Sequence, residues 1–142
     1  MHALIVYAHP EPTSFTAALK NTAVDALRSA GYSVEVSDLY AEGFNPVAGR
    51  HDFVEACDPN RFDYQIEQGH AHATHGFAPE IAREQERFLK ADLVSWVYPI
   101  WWGGVPAILK GWFDRVLAYG FAYSDGQRHD TGFFPTSAGS CV

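Results

Sequence analysis

Cysteine is nearly absent: the 142 residues hold two, Cys57 and Cys141, with no Cys-x-x-Cys spacing. Such usage builds neither a disulfide framework nor a thiolate metal site, and a reducing, cytoplasmic setting is the expectation. Basic charge is scarce as well. Ten Lys and Arg stand against seventeen Asp and Glu, for a formal charge of −7, which argues against a surface made for nucleic acid or an anionic membrane. No apolar run approaches the ~20 residues of a membrane span. The opening Met-His-Ala-Leu-Ile-Val-Tyr-Ala-His-Pro has no basic lead and too short an apolar stretch for a signal peptide. Internal repeats and low-complexity tracts are missing, and so is Gly-x-Ser-x-Gly, which removes the serine hydrolase elbow.

What the chain does have is apolar and aromatic mass. Hydrophobic residues make up 47%, with 10 Phe, 7 Tyr and 4 Trp, enough for the core of one domain. Ala3-Leu-Ile-Val-Tyr-Ala8 reads as a fully buried parallel strand, closed by His9-Pro10-Glu11-Pro12. Thr13 and Ser14 are candidate N-caps for a helix running to about Ala30, with Leu19, Ala23, Ala26, Leu27 and Ala30 on its apolar face and Gly31 as its stop. Residues 33–39 alternate, as a strand at or near a sheet edge does. Residues 40–78 show no sustained periodicity and read as a long functional or partner-contacting connection.

A charge-rich helix is expected over 79–90, with Ile81, Phe88 and Leu89 inward and Glu80, Glu84, Glu86, Arg83, Arg87 and Lys90 on a solvated face. A strand over 92–98 follows, then a helix from Pro106 to Gly120 with Lys110, Asp114 and Arg115 on its polar side. The order β-α-β-loop-α-β-α implies an α/β protein with a doubly wound parallel sheet in the order 2-1-3.

Ligands of such a sheet bind beyond the carboxyl ends of the strands, at the switch between strands 1 and 3. The first loop there has no Gly-x-Gly-x-x-Gly and no P-loop. It offers His9 and the hydroxyls of Thr13, Ser14 and Thr16 at a helix start, which either cap the helix or receive a phosphate. The second loop, Pro99-Ile-Trp-Trp-Gly-Gly104, puts two adjacent indoles at a strand end, either as packing or as a platform for a flat ring. Together the loops point to a nucleotide-like or flavin cofactor. His70-Ala-His-Ala-Thr-His75 has the residue types of a zinc site but reads as solvated loop, and no metal is expected.

Several segments carry a resemblance: Ala3-Leu-Ile-Val-Tyr-Ala-His-Pro10, Thr13-Ser-Phe15, Ser37-Asp-Leu-Tyr40, Phe44-Asn-Pro46, Ala91-Asp-Leu-Val94, Gly120-Phe-Ala-Tyr123 and, most specifically, Pro99-Ile-Trp-Trp-Gly-Gly-Val-Pro-Ala-Ile-Leu-Lys-Gly-Trp-Phe-Asp-Arg-Val116. The chain resembles the NAD(P)H:quinone oxidoreductase (DT-diaphorase) family over about residues 3–134. The resemblance implies a flavodoxin-like fold, FAD, a homodimer, and hydride passed from NAD(P)H through the flavin to a quinone. His9, Thr13, Ser14, Phe15 and Thr16 would hold the diphosphate and ribityl region. Pro99, Ile100, Trp101 and Trp102 would line the isoalloxazine, and Tyr123 would serve the quinone and nicotinamide pocket. Gly103 and Asp125 stand where the family carries aromatic residues.

A flavodoxin-like domain over 1–134 is followed by an atypical tail, 135–142, where the family continues into a fourth and fifth strand. The alternative to an enzyme is therefore a catalytically incomplete fragment that acts by docking to a full-length subunit. With strands 4 and 5 missing, the third strand would expose an apolar edge. Low stability and weak flavin binding are the expectation for this chain alone. A denaturant titration and an FAD-retention assay check it; cooperative unfolding with stoichiometric FAD would contradict it.

Overall fold

The unbroken apolar run near the N-terminus becomes the middle strand of a parallel sheet in the computed structural model, which describes residues 1–127. The order is β2 (Ser33–Asp38), β1 (His2–Tyr7), β3 (Leu93–Val97). Register pairs Tyr7 with Asp38 on one side and with Val97 on the other. Residues 3–8 of β1 and its exit are buried, as a strand covered on both faces requires. Among the described residues four α-helices accompany the sheet: α1 (Phe15–Ser29), α2 (Tyr64–Thr74), α3 (Pro79–Lys90) and α4 (Ala107–Val116). Among the described residues no helix is long and apolar enough to cross a membrane.

Leu4, Val6 and Ala8 project to one face of the sheet, where they meet Leu39, Phe44 and the α4 residues Leu109, Trp112 and Val116. Trp112 is fully buried and stands edge-on to Trp96 and Phe113 at 6.4 and 5.8 Å, the geometry that aromatic quadrupoles favour. α1 covers the opposite face. Ser14 caps it by accepting from the Ala17 amide, and Gly31, at φ 88°, closes it with Tyr32 and Gly31 amides on the Leu27 and Arg28 carbonyls. The expected apolar face is only partly right: Thr16 and Ala17 are buried, Ala23 and Leu27 half-buried, while Leu19, Ala26 and Ala30 face out. The helix holds so many alanines that its sequence defines no single stripe.

Three further expectations are corrected. Residues 40–78 are not one long loop, because α2 occupies Tyr64–Thr74. Its inward residues include Glu67, Gln68 and Ala71, so hydrogen bonds fix it where an apolar stripe would be sought. Glu67 accepts from the Cys57 amide at 2.8 Å, and Gln68 donates to the Asp114 carbonyl while accepting from the Tyr119 amide. The histidine run thus lies on α2, with His75 as its left-handed cap, and no metal-binding cluster forms among the described residues. Second, α3 keeps Glu86, Arg83 and Lys90 in solvent as expected but not Glu84, which is fully buried, accepting from Ser37 Oγ (2.7 Å), Trp112 Nε1 (2.9 Å) and Arg87 (2.7 Å). Leu89, expected inward, is 63% exposed. Third, α4 ends at Val116, short of Gly120, and Arg115 lies inside.

Arg115 is 1% exposed and donates through Nε and an Nη to Asp52, fully buried, at 2.9 and 2.7 Å. It also bonds Glu80 (2.6 Å) and the Asn45 carbonyl, and Tyr64 closes on the second Asp52 oxygen at 2.6 Å. Burial opposes the guanidinium charge, but the two carboxylates outweigh it and hold its pKa above the ordinary value. Burial and the Asp52 carboxylate likewise push the Tyr64 phenol well up. The 45–47 segment comes so close to α4 that a Cβ on Gly111 would sit 2.2 Å from the Pro46 carbonyl oxygen.

Two outcomes are expected in urea unfolding. Gly111→Ala forces backbone against backbone and should cost about 2–3 kcal/mol, at the upper end of overpacking changes. Arg115→Met strands the Asp52 carboxylate and should cost ~3–5 kcal/mol, with part of the loss recovered on adding Asp52→Asn.

Candidate functional site

The carboxyl ends of β1 and β3 release two loops that meet at their first turns. The Ala8 amide bonds the Val97 carbonyl at 3.0 Å, and the His9 ring stands edge-on to Trp101 with centroids 5.8 Å apart. His9 Nδ1 accepts from the Glu11 amide at 3.0 Å. Neutral His9 therefore carries its proton on Nε2, as a donor. One turn on, α1 begins: the Ser14 hydroxyl takes the Ala17 amide, which leaves the amides of Phe15 and Thr16, the first two of the helix, without a hydrogen-bond acceptor among the described residues. Open amides, the positive end of the helix and a histidine donor make a cradle suited to phosphate.

Each expected residue of this loop has a distinct place. Ser14 is the cap. Thr16 is buried at 8% exposure, and Phe15 projects at 78%. Thr13 gives both its amide (2.9 Å) and its hydroxyl (2.7 Å) to Glu11. Those two hydrogen bonds hold the exposed Glu11 carboxyl below the usual carboxylate range. Thr13 is thus committed inside the loop, and Glu11, which the sequence reading left out, is the residue that fixes it. The spacing Glu-x-Thr ahead of a cap was the available signal.

The second loop turns back on itself at once. Trp101 and Gly104 exchange both backbone hydrogen bonds, at 3.0 and 3.2 Å. Trp102 and Gly103 between them have φ of 48° and 73°, the double positive φ of a two-residue type I′ turn. Gly103 takes that conformation at little cost; Trp102 does not. The turn lifts the apolar side chains out of the fold: Ile100 is 69% exposed, Trp101 45% and Trp102 wholly so. Pro99 is half-buried behind them. Of the two sequence readings, packing under the next helix does not apply to either indole. A cluster of this kind on a polar loop marks a place where something binds.

Tyr123 is elsewhere. It packs against Tyr119 with ring centroids 5.6 Å apart. It lines a cavity of about 430 Å³ with Tyr64, Gln65, Gln68, Phe113 and Asp114, none of which belongs to the two loops. Within one chain, nine of the ten expected residues gather at the β1 and β3 ends and Tyr123 lies apart. The tail from 135 onward lies outside the described residues.

Comparison with known proteins bears on the fold and the family. A family profile described as flavodoxin-like fold matches residues 1–138. The chain is 48% identical over 133 residues to the rat protein named NAD(P)H dehydrogenase [quinone] 1, covering 93% of this chain and 48% of that one. It is 48% identical over 130 residues to ribosyldihydronicotinamide dehydrogenase [quinone] of Pongo abelii, covering 91% and 56%. Among solved structures, a candidate quinone reductase from Klebsiella pneumoniae superposes with a TM-score of 0.83 at 42% identity, over 87% of this chain and 48% of that one. The chain spans about half the length of these relatives. With its β2-β1-β3 parallel sheet and a sequence match that runs through nearly all of its length, the chain belongs to the flavodoxin-like family.

Proposed function

We propose that this chain serves a flavin-dependent oxidoreductase of the cytoplasm, with FAD as cofactor, that carries hydride from NAD(P)H to quinones. The exposed Ile100, Trp101 and Trp102 beside a phosphate-ready helix start is the observation that carries the reading. A flavin has the same two parts, a flat apolar ring and an anionic tail. When bound, it supplies the ring nitrogen that accepts and then gives up hydride. The names of the curated relatives support the quinone and the nicotinamide donor.

The side chains themselves bind and orient. Trp101, Trp102 and Ile100 offer apolar surface to the ring, and Gly103 lets the backbone come close. His9 Nε2–H and the open amides of Phe15 and Thr16 would hold the diphosphate. Phe15, exposed beside them, would add apolar surface, and Ser14 keeps the helix end in place. No side chain here is placed as a nucleophile. Tyr123 opens into a different cavity of its own chain, so it reaches the ring only from a second copy, and a homodimer belongs to the proposal for that reason. No observation favours the alternative of a fragment that works by docking to a full-length subunit.

Anaerobic titration with FAD tests the reading. Stacked indoles should quench flavin fluorescence on binding, the bound flavin should bleach with NAD(P)H, and a quinone should restore its colour. Trp102→Ala should weaken FAD by about tenfold, since loss of one stacking aromatic costs ~1–3 kcal/mol, and His9→Ala should weaken it through the diphosphate. FAD fluorescence untouched by the chain, or a Trp102→Ala chain that binds as the parent does, would sink the proposal.

A further inference from the structure

A second cleft opens on the other side of His9, over the carboxyl ends of β1 and β2 and against α1. It encloses about 450 Å³, within the range of small-molecule sites, and is lined by Tyr7, His9, Pro10, Pro12, Lys20, Asp38 and Tyr40 among others. Tyr7 and Asp38 are register partners in the last rung of the β1–β2 pair, so their side chains leave the sheet on the same face. Three features show a site prepared for a ligand.

The Tyr7 side chain is 3% exposed, and its buried hydroxyl makes no close hydrogen bond, with the Ser14 side chain as the polar neighbour it interacts with, a costly arrangement within a fold. Lys20 lies over the Tyr7 ring, 5.1 Å from its centroid, and meets no carboxylate within 4.0 Å among the described residues. Asp38 accepts the Ala41 amide on Oδ1 at 3.1 Å, which leaves Oδ2 to accept from elsewhere.

This donor and acceptor set is selective. A bare anion would satisfy Lys20 and Tyr7 but face the Asp38 carboxylate. A bare cation would face Lys20. A sugar phosphate meets all three: hydroxyls donate to Asp38, and the phosphate takes Lys20 and the Tyr7 hydroxyl. Pro10, Pro12 and Tyr40 add flat walls that suit a base. An acidic side chain at the end of the second strand is also where nucleotide-binding doubly wound sheets hold a ribose hydroxyl. We propose that the cleft between β1, β2 and α1 binds a ribonucleotide, through Asp38 to the ribose hydroxyls and Lys20 with Tyr7 to the phosphate. The cleft shares His9 with the indole-lined site, but Asp38, Lys20 and Tyr7 are not among the groups assigned to the flavin, so the inference does not depend on the flavin reading.

Isothermal titration of the whole chain with AMP tests it, with dAMP as the probe that lacks the 2′-hydroxyl. AMP should bind at or below millimolar concentration, and dAMP more weakly. Asp38→Asn, which keeps an oxygen for the Ala41 amide, and Lys20→Met should each weaken AMP at least fivefold. Tyr7→Phe should weaken AMP about fivefold, the worth of one hydrogen bond, while leaving the Tm unchanged or higher, because its hydroxyl makes no close hydrogen bond in the fold. Saturating FAD should leave AMP binding intact. The proposal is overturned by no heat with millimolar AMP, by Asp38→Asn binding as the parent does, by a Tm drop in Tyr7→Phe, or by displacement of AMP with FAD. That last result would make the cleft an arm of the cofactor site.

Discussion

The buried Arg115 guanidinium is the contact on which the architecture turns. It projects from α4 and gathers Asp52 and Glu80, together with the Asn45 carbonyl, from three otherwise separate stretches of chain. Removing it would leave the fully buried Asp52 carboxylate without its counter-charge, which is why a buried pair is costly to break even where it contributes little net stability when intact. Through Asp52 the network reaches Tyr64 and so the start of α2. Through Glu80 it reaches the first turn of α3. The long connection between β2 and α3 is held by this charge network together with an apolar cluster around Phe53, Ala71 and Phe77, with Gly111 clearing the space for Pro46 to lie against α4.

That brace matters for the site because α4 follows the indole turn directly. Leu109, Trp112 and Val116 fix α4 to the sheet, so the strand end at Val97 and the helix start at Ala107 are both immobilised by the core. The residues between them have little freedom left, and the tight Trp101–Gly104 turn absorbs the reversal. The opposite wall is set in the same way by Ser14, which anchors α1 one turn beyond His9. Both walls are loops on rigid supports, the arrangement in which binding residues hold their geometry.

Legibility in the sequence followed the kind of force at work. β1, β3 and the start of α1 were readable because apolar runs, a serine cap and a terminal glycine are local signals. The sheet order followed from the β-α-β-loop-α-β-α succession of a doubly wound sheet. α2 was not readable, since Glu67, Gln68 and Ala71 face inward and their partners are backbone groups far along the chain. Glu84 and Arg115 were assigned to solvent for the same reason: a charge buried against a distant opposite charge looks, in sequence, like a charge on a surface. The indoles stood out in the sequence, but only the structure decides between packing and display. Tyr123 opens into another cavity of its own chain, and whether a residue serves its own chain or a second copy is not written in a motif.

Trp102 brings these strands of reasoning to one point. It occupies the left-handed region at φ 48°, where a bulky side chain is strained by about 1–3 kcal/mol. It also leaves its whole indole in water, forgoing the ~2–3 kcal/mol that burying a large apolar side chain brings. A glycine or asparagine at this corner of a type I′ turn would remove both costs. Neither is offset by any contact Trp102 makes inside the chain, so the indole is unfavourable for the isolated fold and is accounted for by what it meets outside it. The His9 donor stands beside the neighbouring Trp101, with the open helix amides one turn on, so the surface on offer is complementary to a group that is flat and apolar at one end and anionic at the other.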